Sequence, residues 1–333
     1  MHLKILDKIC KMAHGSRLTA NCAHNNELKI LVCYNKPFAI PQNNNILLPV
    51  QAGKKVSQYD LNMQSDCDVN GQPCDSISDK NSSYCELGVL YWAWKNVKKI
   101  YPDLKYIGLF HYRRFLAFNK HESKNFVMPR PENDISSYTI TPENLNEIIN
   151  YIENGYIIVR KPEHFGFSAI DQHEGSFTKD FAKLTTGLVM NIIKYNYPDY
   201  YQDFINCMEK NNILHPNHIF IMKFEDFENM CEWLFGVLGM LDKVIPAIDK
   251  EISSHCDETY QKRFAGYIGE RLYNIWLRHS GKKLKCYPYY FYDQNNKPGN
   301  FLTDRFIACK KFFERVRNDL KFKIKYSRKK PKF

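Results

Sequence analysis

Two adjoining segments decide the fold: SSYCELGVLYWAWKN (residues 82–96) and, after a proline, YIGLFHYRRF (residues 106–115). The first predicts a helix, because Ser83 and Glu86 have the spacing of a capping box and Pro102 ends the segment. Apolar side chains leave this helix no wide polar face, which is typical of a helix buried in a large core. The second segment opens as an unbroken apolar run, like a strand that is covered on both faces. We therefore expect a buried helix followed by a central strand.

The predicted strand ends abruptly in His111, Tyr112, Arg113 and Arg114. Ligands of α/β proteins bind beyond the carboxyl ends of strands, and guanidinium groups suit bidentate binding of phosphate or carboxylate. Alternatively, the two arginines cap a sheet edge and form salt bridges with nearby acids. Since side chains alternate along a strand, we expect at most one of them to face a ligand directly.

Five segments resemble the DUF4422 family, at residues 29–37, 77–96, 106–115, 217–222 and 266–274. The family comprises inferred glycosyltransferases of bacterial capsular, exopolysaccharide and lipopolysaccharide gene clusters. The resemblance implies an α/β fold of GT-A-like (Rossmann-like) type, with a mixed, mostly parallel sheet flanked by helices. It also implies transfer of a hexose, with galactofuranose and galactose as candidates, from a UDP-sugar to a growing, lipid-linked glycan. The alternative is a non-catalytic carbohydrate-binding or scaffolding subunit of a polysaccharide assembly complex.

The resemblance implies a donor site at the ends of the matching strands and at the start of the buried helix. Its predicted members are Tyr34, Lys36, Asp79, Lys80, Asn81, Tyr84, His111, Tyr112, Arg113 and Arg114. Lys36 could instead be a solvated loop lysine, and Asp79 could hold a sugar or a metal or simply favour the positive helix N-terminus. Residues 41–82 are rich in polar residues and predict a long loop, of the kind that is usually functional or mobile.

The expected metal motif of this fold is missing. GT-A enzymes commonly carry Asp-x-Asp after the strand that follows this helix, where hard ions such as Mg²⁺ or Mn²⁺ take oxygen ligands. His111–Arg114 takes that place here, so Mn²⁺ or Mg²⁺ stays an open option without assigned ligands. Cationic side chains there could neutralise a departing diphosphate without a metal. His215 and His218 lack a third ligand, and Pro216 indicates a loop.

Candidates for acid/base chemistry and acceptor binding lie further along the chain. Asp171 and Glu270 are predicted to position or deprotonate the acceptor hydroxyl, with Arg114 as the third catalytic residue. Glu270 lies in an apolar helix, where a carboxylate is costly unless it is functional or paired, for instance with Arg271 or an arginine of the 111–114 segment. The predicted acceptor-binding residues are His173, Asn217 and His218.

Composition places the chain among globular proteins, with 333 residues of which 44% are hydrophobic. No apolar run reaches the roughly 18 residues of a membrane span, so we expect a soluble or peripheral protein. The eleven cysteines never fall as Cys-x-x-Cys, and no secretory signal is evident. This pattern indicates reduced thiols in a cytosolic protein, with Cys67 and Cys74 as the single pair worth checking for a bridge.

We expect three parts: an extension at 1–27, a glycosyltransferase-like domain at 28–300 and a basic tail at 301–333. Between Arg305 and Phe333 there are twelve Lys and Arg residues against two carboxylates. Apolar residues at helical spacing in this tail predict a basic amphipathic helix, which suits an anionic membrane surface on the cytoplasmic side. Nucleic acid is the rival partner, but the core lacks a nucleic-acid-binding motif, so we expect none.

Overall fold

The computed structural model describes residues 27–42, 45–118, 126–127, 135–175, 179–252, 262–292 and 301–326. Apart from Glu27, the predicted extension at 1–27 lies outside these residues. The strands are β1 (Leu28–Tyr34), β2 (Leu47–Gln51), β3 (Gln64–Ser65), β4 (Asp68–Val69), β5 (Gln72–Pro73), β6 (Tyr106–His111), β7 (Arg114–Leu116), β8 (Phe126–Val127), β9 (Tyr156–Arg160), β10 (Glu163–His164), β11 (Ile213–Leu214), β12 (Phe220–Lys223), β13 (Lys283–Tyr287) and β14 (Tyr289–Phe291). The α-helices are α1 (Asn81–Tyr84), α2 (Leu87–Ile100), α3 (Pro142–Glu153), α4 (Ala169–Glu174), α5 (Lys179–Asn196), α6 (Pro198–Met208), α7 (Phe224–Ile252), α8 (Phe264–His279) and α9 (Phe301–Tyr326).

The main sheet is mixed and mostly parallel, as expected. Its strands follow the order β13-β9-β12-β6-β1-β2-β3. Strands β1, β2, β3 and β6 run parallel, and so do β9 and β13, whereas β12 is antiparallel to both of its neighbours. The start of β12 therefore lies beside the carboxyl end of β6. This arrangement brings residues that are far apart in sequence to one edge of the sheet.

The predicted buried helix and central strand are confirmed. Helix α2 ends at Ile100, just before Pro102, and buries residues on most of its surface. Strand β6 lies between β1 and β12, and its residues are buried from Tyr106 to Phe110. Apolar residues of α2 join one large core cluster on one side of the sheet. The sequence pattern alone was sufficient to place both elements.

The segment 41–82, predicted to be a loop, contains strand β2 and is organised around a buried carboxylate. Asp66 accepts hydrogen bonds from Gly53 N (2.7 Å), Lys54 N (3.2 Å) and Ser78 Oγ (2.6 Å). Gly53 has a φ of 66°, and a Cβ at this position would collide with the Asn81 side chain. The segment therefore forms a fixed wall that holds Asn81 in place.

Helix α9 lies against the two-stranded β10–β11 sheet through polar contacts. Asp319 Oδ1 lies 3.0 Å from His164 Nδ1 and accepts a hydrogen bond from Asn212 Nδ2 at 2.9 Å. Asn318 Nδ2 donates to the His164 carbonyl at 3.0 Å. Within the described residues, no helix is both long enough and apolar enough to cross a membrane. Cys67 and Cys74 are both free thiols.

Candidate functional site

A pocket of about 550 Å³ opens where β1 and β6 end. Its walls come from the ends of these strands, the α1–α2 junction, the turn before β12 and the first turns of α8. The lining residues are Cys33, Asn35, Ala52, Asn81, Ser82, Cys85, Glu86, His111, Tyr112, Arg113, Arg114, Asn217, Arg263, Gly266, Tyr267 and Glu270. Its size is within the range of small-molecule sites.

Arg113 and Arg114 both line the pocket, although strand alternation predicts that at most one of them faces a ligand directly. The chain does not continue as a straight strand: it turns tightly after His111, which pairs with Arg114 in an antiparallel hairpin. Phe291 supports both guanidinium groups, each with its central carbon 5.1 Å from the ring centroid. The turn therefore directs two permanent positive charges to one place.

The sheet-edge interpretation requires an acidic partner for each arginine. Among the described residues, neither Arg113 nor Arg114 has one. Burial, and then the neighbouring charge of Arg113, lowers the pKa of Arg114, although tyrosine hydroxyls oppose this. A guanidinium group keeps its proton under such conditions. The Arg113 Nε atom is buried and makes no hydrogen bond. The pocket therefore contains two charges that have been partly removed from water without compensation, as an anion-binding site would.

His111 is a neutral member of the pocket and does not add a third cation. Its Nε2 atom donates a hydrogen bond to the Asn217 carbonyl at 2.6 Å, which fixes the tautomer. Burial lowers the pKa of His111 to about 4, although the Glu86 carboxylate opposes this. At neutral pH His111 is therefore uncharged and cannot act as the cation that the sequence predicted there.

Asn217 and His218 form a strained turn that ties the pocket together. Both have positive φ, 67° and 47°, which costs a non-glycine residue roughly 1–3 kcal/mol. The Asn217 amide donates to Glu270 Oε1 at 3.0 Å, and its side-chain oxygen accepts a hydrogen bond from Arg160. With the bond from His111, the turn connects the ends of β6 and β9 to α8. These contacts offset the strain.

Glu86 is a pocket residue that the sequence pattern misassigned. Helix α2 begins after Glu86 without a side-chain cap, and the Ser83 hydroxyl makes no hydrogen bond, so the predicted capping box is wrong. Cys85, with a φ of 51°, separates α2 from α1 and breaks the expected spacing. The Glu86 carboxylate is instead turned towards His218, whose Nδ1 donates to Glu86 Oε1 at 3.0 Å.

The surroundings of the Glu86–His218 pair favour the charged form of both groups. Burial alone would raise the pKa of Glu86, but the hydrogen bond from His218 and the nearby His111 hold it at about 2. Burial would lower the pKa of His218, and the bond to Glu86 raises it instead. His218 was predicted to bind the acceptor, but it is fully buried behind Glu86 and does not line the pocket.

The sequence left open whether Glu270 belongs to a functional site or is paired with an arginine, and the structure shows both a pocket position and a pairing. It lines the pocket, and its Oε2 accepts a hydrogen bond from Arg271 Nη1 at 3.2 Å. Arg271 is buried and also donates to the Gln172 side chain, which links α8 to α4. Because Oε1 holds the Asn217 amide, both carboxylate oxygens of Glu270 are engaged by the protein.

Several predicted donor residues lie outside the pocket lining. Tyr34 is fully buried, and its hydroxyl donates to the Ala39 carbonyl at 3.1 Å. Lys36 and Asp79 are exposed. The Lys80 ammonium and the Tyr84 hydroxyl both contact Asp242 Oδ2 at 2.7 Å, which fastens α1 to α7. Of the predicted donor set, the pocket thus brings together Asn81, His111, Tyr112, Arg113 and Arg114.

The structure also separates Asp171 and His173 from this pocket. Both lie on α4, where the Ser168 hydroxyl accepts from the Asp171 amide at 3.3 Å. Asp171 Oδ2 lies 3.9 Å from the ammonium group of Lys325 on α9. His173 is buried against helices α5, α6 and α8, and burial lowers its pKa well below the ordinary value. Their predicted catalytic and acceptor-binding roles have no counterpart in the pocket geometry.

Arg263, just before α8, is a third pocket cation that the sequence did not reveal. Its Nε donates to Cys85 Sγ at 3.5 Å. Among the described residues no group of three or more His, Cys, Asp and Glu side chains lies together as a metal would require. The two pocket carboxylates are already paired with His218 and Arg271. This donor set does not fit a divalent cation.

The mixed sheet, with a polar pocket at the ends of its central strands, defines an α/β protein of the GT-A-like class. The chain belongs to the family described as "Domain of unknown function (DUF4422)", whose model matches residues 29–282. Its structure is similar to that of the WbbM bifunctional glycosyltransferase in the apo state, with 24% sequence identity and a TM-score of 0.63. The alignment covers 83% of this chain and 47% of WbbM, so the chain spans about half of that protein. This likeness shows the fold. No curated protein matches the chain.

Proposed function

We propose that the protein is a glycosyltransferase that transfers a hexose from a UDP-sugar to a growing, lipid-linked glycan of a capsule, exopolysaccharide or lipopolysaccharide. The observation that carries the proposal is the pair Arg113 and Arg114, which both line the pocket and have no acidic partner among the described residues. Galactofuranose and galactose are the candidate sugars. The fold that the chain shares with a bifunctional glycosyltransferase supports the reaction class.

The chemistry of a nucleotide-sugar donor matches the charges of the pocket. Breaking the bond between sugar and diphosphate leaves additional negative charge on the diphosphate, and preorganised cations lower the barrier by stabilising that charge. Arg113 and Arg114 supply such cations from a rigid hairpin turn. Asn81 and Tyr112 also contribute polar groups to the pocket lining. In this arrangement the arginines bind the diphosphate and orient the donor.

The experiment is a thermal-shift screen of UDP, GDP, CMP and their common sugar conjugates, each with and without Mn²⁺. A ligand that binds only the folded protein raises its melting temperature. We expect UDP and UDP-sugars to raise it, uridine to raise it less, and Mn²⁺ to change neither shift. Absence of a shift with every nucleotide would contradict the proposal and favour the carbohydrate-binding subunit.

We further propose that α9 attaches the protein to an anionic membrane surface, on the cytoplasmic face of the cell membrane. One face of α9 carries an apolar row in which every side chain is at least 41% exposed: Phe313, Val316, Leu320 and Ile324. Their spacing of three or four residues puts them on one side of the helix. The side that holds Asn318 and Asp319 faces the protein.

Basic residues accompany the apolar row. Exposed Lys and Arg side chains occupy positions 310, 315, 317, 321 and 323. An apolar stripe with basic flanks binds the boundary of an anionic bilayer through both burial and charge. A membrane-binding surface is also an argument for an acceptor that is linked to a lipid. The proposed division of the chain at residues 27 and 300 stays a prediction.

The double variant Leu320→Glu/Ile324→Glu is expected to bind vesicles of phosphatidylcholine and phosphatidylserine at least about tenfold more weakly, since two apolar side chains lose their burial. Cosedimentation measures it. The matched control is Val56→Glu/Tyr195→Glu, which places the same charges on two other exposed apolar positions. Truncation after Thr303 should have at least the effect of the double variant. Equal vesicle binding by all four proteins would refute the membrane surface, and binding of duplex DNA by the tail would favour its rival.

A further inference from the structure

Glu86 and Glu270 both line the pocket, but the protein holds them differently. Both oxygens of Glu270 are engaged, Oε1 by the Asn217 amide and Oε2 by Arg271. The Glu86 carboxylate accepts a hydrogen bond from His218 through Oε1 and also interacts with the residue's own backbone amide. Its second oxygen, Oε2, accepts no hydrogen bond from another described residue. Of the two carboxylates, Glu86 therefore has an oxygen available for a ligand.

The surroundings of Glu86 fix both its charge and its direction. His218 is fully buried, whereas 15% of the Glu86 side chain is exposed. Since Glu86 is a lining residue, this exposed part opens to the pocket. The positive end of α2, which begins at the next residue, also favours the carboxylate form. The His218 backbone has a positive φ, and its ring lies behind Glu86; strain of this kind clusters at functional sites.

We propose that Glu86 is the catalytic residue that binds the acceptor hydroxyl and takes its proton, with His218 as its positioning residue. This inference rests on the proposed glycosyltransferase function. The acceptor O–H proton passes to Glu86 Oε2 while the acceptor oxygen forms a bond to the anomeric carbon of the donor. The bond from that carbon to the diphosphate breaks, and its electron pair leaves on UDP, whose charge Arg113 and Arg114 stabilise.

The role of Glu270 follows from the same geometry. Its carboxylate holds the Asn217 amide, and Asn217 in turn accepts the hydrogen bond from His111. Glu270 is thus a positioning residue for the turn that carries His218. A proton taken by Glu270 would compete with its bonds to Asn217 and Arg271, whereas Glu86 can accept one on an oxygen that the protein leaves open.

The test is the variant Glu86→Gln, which preserves size but cannot accept the proton as a carboxylate does. UDP release is measured with UDP-galactose and UDP-galactofuranose as donors, in water alone and with octyl β-galactoside as acceptor. We expect release to fall about 100-fold or more, with UDP affinity unchanged by calorimetry. The control is Asp203→Asn, which removes the carboxylate of another histidine pair, 3.0 Å from His279 Nδ1 and outside the pocket. It should turn over like wild type.

The outcomes separate this inference from the proposed function. Wild-type turnover by Glu86→Gln would overturn the role of Glu86 and leave the glycosyltransferase proposal intact. A wild-type protein that binds UDP but releases none from either donor would be a binding subunit, and the role of Glu86 would fall with the reaction. If Glu86→Gln does not fold, Glu86→Ala is assayed with added sodium formate. Recovery of UDP release would support proton transfer to a carboxylate, and a folded variant without recovery would contradict it.

Discussion

Replacing Arg114 with alanine is expected to remove donor binding and turnover without lowering the melting temperature. Loss of one preorganised donor at a developing negative charge typically costs about 10²–10³ in rate. Stability should not fall, because no acidic partner among the described residues offsets the burial of this half-buried guanidinium, and its contact with the Phe291 ring is worth little. Calorimetric titration with UDP, UDP release and thermal melting measure the three quantities.

The control for this variant is Arg278→Ala, which removes an arginine that pairs with Asp203 outside the pocket. It should change neither UDP affinity nor turnover. A fall of several degrees in the melting temperature of Arg114→Ala, with UDP affinity retained, would support the sheet-edge interpretation and contradict the anion site. Arg113→Ala should behave like Arg114→Ala, since both side chains face the same pocket.

His218→Leu is expected to destabilise the protein by about 3–5 kcal/mol at neutral pH, because it leaves the Glu86 carboxylate without its partner in a buried place. In the wild type the pKa of Glu86 lies near 2, below its ordinary value. Glu86 therefore contributes stability above its ordinary pKa, and this is lost as the pH falls towards about 2. His218, whose pKa is raised, contributes stability below its ordinary pKa, and this is lost as the pH rises through the pKa of the folded state. In the variant the carboxylate takes up a proton more readily, so the difference from wild type should shrink as the pH is lowered.

Urea unfolding at neutral pH and at about pH 4.5 measures this difference. The same other titratable groups surround the pair in both proteins: Cys33, Cys85, His111, Arg263, Glu270 and Tyr273. The double variant Glu86→Gln/His218→Leu is the control and should recover most of the lost stability, since no charge remains unpaired. A pH-independent loss, or strictly additive effects of the two substitutions, would show that the pair is not ionised.

The parts of the fold that follow from local pattern could be predicted. Helix α2 and strand β6 were evident because a continuous apolar surface and a proline stop are properties of neighbouring residues. The capping box was predicted wrongly because a local pattern does not contain distant residues. Ser83 and Glu86 fit the pattern, but His218, far along the chain, is the partner of Glu86. Strand β2 was missed because it is short, contains Pro49 and lies in a polar segment.

The candidate site shows the same division. The segment His111–Arg114 and Asn217 line the pocket. They could be predicted because strand ends are recognisable in sequence and meet at one edge of a sheet. Asp171 and His173 lie on α4, and no local signal distinguishes a polar helix start from a catalytic segment. Arg263 and Glu86 became candidates only when the structure brought α8 against the α1–α2 junction. The functional roles of all these residues stay predictions.

The central claim is that the pocket binds the diphosphate of a nucleotide-sugar through Arg113 and Arg114. The most direct measurement is a crystal structure of the protein with UDP. The account predicts the diphosphate within hydrogen-bonding distance of both guanidinium groups, with Glu86 Oε2 left open towards the remaining pocket volume. UDP bound at another surface, or bound here with its phosphates directed away from both arginines, would contradict it.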